Sequence, residues 1–127
     1  MKKMSGMLLT VALLFVTSTV FAATLDGNYS FLSRTKANQP DAVGWTGSMN
    51  IANNVMSRSI KSTDGTTEKT YVQTLKNDSG DVYTTTMAKS YNPAYVGKVE
   101  QYKITTNGKE LILQTLNGEF KEVWAKK

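Results

Sequence analysis

Neither histidine nor cysteine occurs in this chain of 127 residues. That removes the commonest general base, the commonest metal ligands and the thiol nucleophile. Carboxylates, hydroxyls and lysines remain. No spacing singles out a pair of carboxylates of the kind that flanks a glycosidic bond. Serine and threonine are abundant but have no recognisable activating partner, and they read better as strand formers. No catalytic residue, metal ligand, cofactor or enzymatic activity is therefore expected.

The informative charges are those in phase with large apolar neighbours. Arg58 lies between Met56 and Ile60, Glu122 between Phe120 and Trp124, and Glu100 two residues before Tyr102. Such a phase aims a side chain at an interior, where a charge needs a partner. Arg58 with Glu100 or Glu122 would then anchor the polar end of a ligand in an aromatic cavity. The alternative puts these groups near strand ends, reaching back to water, or turned outward by a bulge. Tyr83, Tyr102 and Trp124 can line such a cavity or simply fill a core, and Tyr29, Met49, Tyr71 and Met87 present the same choice. Tyr91, Pro93, Tyr95 and Val96 cluster in a loop. Tyr95 there is either a binding anchor or part of a plug over the core. The candidate ligand-binding set is Arg58, Glu100, Glu122, Tyr83, Tyr102, Trp124 and Tyr95.

Short β-strands must position these residues. From Val99 to Trp124, apolar-containing runs are separated by Asn107-Gly108 and Asn117-Gly118. Asn-Gly is the strongest short-range hairpin signal and predicts two-residue type I′ turns. Upstream, strands are expected over Leu25–Leu32, Trp45–Ile51, Val55–Lys61, Thr67–Lys76 and Asp81–Tyr91. They are joined at Asn53-Asn54, Ser62–Thr66, Asn77–Gly80 and Asn92–Gly97, with Ser33–Gly44 as the longest loop. No stretch after the leader sustains a 3.6-residue apolar period. One long connection among short ones favours a meander over a Greek key, and closure removes the two exposed edges. The expected fold is all-β, an eight-stranded antiparallel up-and-down barrel. Its connections alternate between two ends, and the end carrying Ser33–Gly44 and Asn92–Gly97 is the expected mouth.

The first residues belong to a different class. Lys2 and Lys3 precede an apolar run from Met7 to Val16, and Val20-Phe21-Ala22 supplies small residues at the −3 and −1 positions. This reads as a secretory signal peptide, residues 1–22, cut after Ala22, leaving 23–127 as one domain. The apolar run is shorter than the roughly 20 residues of a membrane span. A periplasmic or secreted monomer without a membrane anchor is expected. Without Lys2 and Lys3 the basic residues fall from 15 to 13 against 10 acidic ones, a net charge of +3. The lysines are scattered, with no basic stripe and no interleaved aromatics, so no nucleic-acid partner is expected.

Three segments resemble the lipocalin-like (calycin) barrels of small bacterial proteins. Leu25-Asp26-Gly27-Asn28-Tyr29 is similar to the family's first-strand Gly-x-Trp signature, with Tyr29 in the Trp place. Glu122–Lys126 resembles the closing strand, with Lys126 or Lys127 where the family often carries a basic residue. The run Tyr102–Leu113, YKITTNGKELIL, is similar to a hairpin common in those domains. The chain is shorter than a typical lipocalin, which argues against a deep calyx. The resemblance implies a barrel that binds a small apolar or amphipathic ligand at its loop-bearing end. The other expectation is a barrel that presents its loops to a protein partner, as periplasmic inhibitors of lysozymes or proteases do.

Overall fold

The computed structural model describes residues 25–127; the signal-peptide reading lies outside them. Nine antiparallel strands follow one another: β1 (Gly27–Lys36), β2 (Gln39–Asp41), β3 (Thr46–Ala52), β4 (Val55–Lys61), β5 (Glu68–Ser79), β6 (Val82–Ser90), β7 (Val99–Thr106), β8 (Glu110–Thr115) and β9 (Phe120–Lys126). β1 pairs with β3, each of β3 to β8 pairs with the next, and β9 returns to pair with β1. The eight long strands thus form a closed meander barrel, as the hairpin count predicts, a shape compatible with a calycin-like fold. Closure satisfies the backbone of the first and last long strands, which would otherwise be open edges. Between β6 and β7 a single 3₁₀ turn spans Pro93–Tyr95, capped by the Asn92 side chain, which accepts from the Ala94 N–H. No α-helix occurs among the described residues.

The expected long loop is largely ordered as wall. β1 continues to Lys36, Ala37 and Asn38 turn at positive φ (51° and 61°), and β2 pairs back onto Arg34–Lys36. Ser33–Gly44 is therefore mostly hairpin. Its polar, Pro-containing composition hides this because a short edge segment needs no apolar alternation.

A second departure is a bulge. Phe31 and Ser33 oppose the consecutive residues Trp124 and Val123, leaving Leu32 without a partner and 51% exposed. One extra residue moves everything after it to the opposite face. Tyr29 and Phe31 point inward before the bulge, and Arg34 points inward after it.

Turn chemistry differs from expectation in one respect. Asn53-Asn54 has both residues at positive φ (52° and 62°), the type I′ signature. At the two Asn-Gly sites only glycine does so, Gly108 at 91° and Gly118 at 76°. Asn107 Oδ1 accepts the N–H groups of Lys109 and Glu110, and Asn117 Oδ1 accepts that of Glu119. Both asparagines act as side-chain acceptors in slightly longer turns, not as left-handed residues. The expected turn at Asn77–Gly80 is also tighter, because β5 runs on to Ser79.

The interior is layered. Toward the Asn53-Asn54 end lie Tyr29, Ile51, Met56, Leu75, Ile104, Leu111 and Trp124, all buried. The Tyr29 hydroxyl donates to the Leu25 carbonyl at 2.6 Å, so the ring closes that end without stranding its polar atom. Tyr29 and Lys126 stand opposite each other in register across β1 and β9. Above this apolar layer the inward positions become polar.

Candidate functional site

Glu122, fully buried on β9, is the centre of the polar layer. Arg34 of β1 donates to its Oε2 from Nε (2.8 Å) and Nη2 (2.5 Å). Arg58 of β4 donates from Nη1 to Oε1 and Oε2 (3.0 and 3.1 Å), and the Trp124 indole N–H donates to Oε1 at 3.1 Å. Arg58 also reaches Gln73 Oε1 of β5 from Nε and Nη2 (3.3 and 3.0 Å). Gln73 in turn donates to Thr85 Oγ1 of β6 at 3.3 Å, and Thr85 donates to the Glu100 carbonyl of β7 at 3.1 Å. One hydrogen-bonded chain therefore links six strands. Among the described residues no buried side-chain nitrogen or oxygen lacks a partner, so the cost of taking these groups from water is met by bonds.

The electrostatics support a charged Arg34. Burial works against the Arg34 charge, but the charge and hydrogen bonds of Glu122 outweigh it and raise the Arg34 pKa. Asp41 of β2 approaches Arg34 Nη1 at 3.6 Å. The Arg58 guanidinium lies 4.2 Å from the centroid of the Tyr71 ring, and that of Arg34 lies 5.3 Å from Phe120. Both cations thus have a carboxylate on one side and an aromatic face on another.

Above the network a cavity of about 230 Å³ opens at the end where the wide loops lie. Arg34 and Arg58 belong to its lining, together with Tyr71, Met87, Tyr91, Tyr95, Tyr102 and Phe120. Lys36, Asp41, Lys69, Lys98 and Glu100 complete it. Tyr71, Tyr91 and Tyr95 form an edge-to-face ladder with centroids 5.5 and 6.1 Å apart. Tyr102 meets Phe120 in the same manner at 6.3 Å. Burial, followed by the nearby Glu100 charge, pushes the Tyr102 phenol up to about 12. Burial raises the Tyr91 phenol as well. Both phenols are neutral O–H groups at ordinary pH. A larger depression of about 450 Å³ lies on the outer wall, bordered by Ser48, Ser57, Ser59 and Thr70. It is shallower, and although Arg58, Tyr71 and Lys127 also border it, it has neither the five cations nor the ring ladder of the mouth.

The structure divides the candidate residues. Arg58, Tyr95, Glu100 and Tyr102 meet at the mouth cavity. Glu122 and Trp124 lie directly beneath it, both at 0% exposure, supporting the floor without lining it. Tyr83 lines no part of it and packs, partly buried, against the core. Glu100 is only half-buried and pairs with Lys98 at 3.5 Å, near the strand end. Tyr95, 37% exposed, stands at the rim; no residue of its 3₁₀ turn is buried, so the loop borders the opening and does not plug it.

Sequence reasoning omitted Arg34, Gln73 and Thr85. Gln73 and Thr85 share their strand's inward phase with Tyr71 and Leu75, and with Tyr83 and Met87, so phase alone identifies them. Arg34 gives no such signal, because the bulge at Leu32 inverts its phase. Among the described residues no group of three or more acidic side chains could hold a metal ion.

In comparisons with known proteins, no family, curated protein or solved structure matches this chain.

Proposed function

We propose that this is an exported, non-enzymatic, lipocalin-like barrel that binds a small apolar or amphipathic ligand at its loop-bearing end. The observation that carries the reading is the mouth cavity itself. Its walls are aromatic and its floor is a hydrogen-bonded polar layer whose members already have partners. Small-molecule sites combine such walls with a few placed polar groups. At about 230 Å³ the cavity lies below the roughly 300–1,000 Å³ of drug-sized sites, so the ligand is small. Monomeric action in the periplasm or outside the cell fits the leader-like first residues.

The test is native mass spectrometry of protein from its own host, with calorimetric titration against small neutral and charged amphiphiles. Saturable binding of at least one is expected. Tyr95→Ala should weaken it about three- to tenfold, the equivalent of roughly 0.5–1.5 kcal/mol for one aromatic contact. No copurifying molecule and no saturable binding across the panel would refute the reading.

One observation favours a second reading, a protein partner. Val43, Val96 and Leu116 are 75%, 51% and 57% exposed, and all lie on connections at the mouth end. Exposed apolar loop tips can seat in a partner's cleft. Inhibition of a lysozyme or protease by the purified protein, lost on Val96→Asp, would support it.

A further inference from the structure

The lining is unequal in charge. Five cations, Arg34, Lys36, Arg58, Lys69 and Lys98, face the cavity against two carboxylates, Asp41 and Glu100. The arginines are held by Glu122 beneath, and Lys98 lies 3.5 Å from Glu100. Lys36 and Lys69 are different: neither has a carboxylate within ion-pair distance among the described residues. The Lys69 ammonium instead sits 5.4 Å from the Trp45 ring centroid and 5.8 Å from that of Tyr91. An ammonium held only by ring faces retains most of its capacity for an anion. Opening in a low-dielectric wall, such a cleft concentrates negative charge.

Shape adds a second constraint. The edge-to-face tyrosines on β5 and the β6–β7 connection, and the Tyr102–Phe120 pair on β7 and β9, present ring edges and faces to the same space. Such surfaces favour a planar ring packed offset or edge-on. Both arginines are already engaged, so the lysines at the rim are the groups left to meet the ligand's charge.

We infer that the ligand is a small aromatic anion, its ring among the mouth tyrosines and its anionic group between Lys69 and Lys36. This rests on the mouth being a ligand site, and the experiment separates the two claims. Calorimetry would compare 1-naphthoate with its neutral analogue 1-naphthalenemethanol and with octanoate, at low and at high salt. Naphthoate should bind at least about tenfold more tightly than either, with the margin shrinking in high salt as charges are screened. Lys69→Gln and, separately, the more exposed Lys36→Gln should each reduce naphthoate binding about three- to tenfold. Neither should change the alcohol's binding, and Lys109→Gln at the opposite end should change nothing. Equal binding of naphthoate and the alcohol would overturn the anion while leaving the cavity's role intact. Equal binding of octanoate would overturn the aromatic requirement. Failure of all three, with failure of the wider panel, would overturn the ligand site itself.

Discussion

Glu122 shows how one side chain can organise an interior. It accepts hydrogen bonds from two guanidiniums and an indole inside the barrel wall. Glu122→Gln would leave Arg34 and Arg58 without their shared counter-charge, and breaking a buried pair from one side costs about 3–5 kcal/mol. Denaturant unfolding should show that loss. Replacing the group as a unit, Arg34→Met, Arg58→Met and Glu122→Leu together, should cost far less or even stabilise, because no charge is then stranded. If the triple variant lost as much as Glu122→Gln, the layer's worth would lie in packing and not in its charges. Tyr102 carries a pH prediction. Its pKa is raised to about 12, chiefly by burial, whereas an unfolded tyrosine ionises near 10. Between these values the unfolded chain binds fewer protons than the folded one. The resulting stability is therefore full below about pH 10 and is lost as pH rises toward 12, by roughly 2–3 kcal/mol. Stability curves of Tyr102→Phe should fall less steeply across that window than those of the wild type.

At the scale of elements, period-two alternation reveals most of the wall and hides its irregular points. Met56, Arg58 and Ile60 alternate inward on an undisturbed β4, so their burial follows from sequence. Phe120, Glu122 and Trp124 share an inward phase on β9 in the same way. β1 does not behave so simply. The bulge at Leu32 is specified by its register against β9, a partner some ninety residues away, and no local pattern announces it. The β2 hairpin is similarly invisible because its turn uses Ala37 and Asn38 without glycine. Two of the three charges in the central ion network are legible for this reason, Glu122 and Arg58, and Arg34 is not. Gly47 of β3 offers a test of the wall. A Cβ there would run into the Ser59 carbonyl oxygen and come within 2.9 Å of Ile60 Cγ2. Gly47→Ala should cost about 1–3 kcal/mol through overpacking, read as a lower thermal midpoint. An unchanged midpoint would mean that β3 and β4 can part without penalty.

The whole molecule divides into a filled end and an open one. Closure of β1 on β9 ties together the strands farthest apart in sequence, and no disulfide supports it because the chain has no cysteine. The meander sends the tight Asn53-Asn54 and Asn107–Lys109 turns to one end and the wider connections to the other. The apolar layer, the ion network and the cavity then follow in that order along the axis. The cavity was foreseeable from loop lengths as a location, but its volume depends on how far Tyr71, Tyr91 and Tyr95 lean inward, which alternation does not report. The measurement closest to the central claim is a two-dimensional NMR titration of the isotope-labelled protein with 1-naphthoate. Saturable shifts are expected, concentrated at Lys69, Tyr71, Met87, Tyr91, Tyr95 and Tyr102, with the Asn53-Asn54 end unmoved. Shifts spread over the outer wall at Ser48, Ser57 and Thr70, or none at saturating ligand, would contradict it.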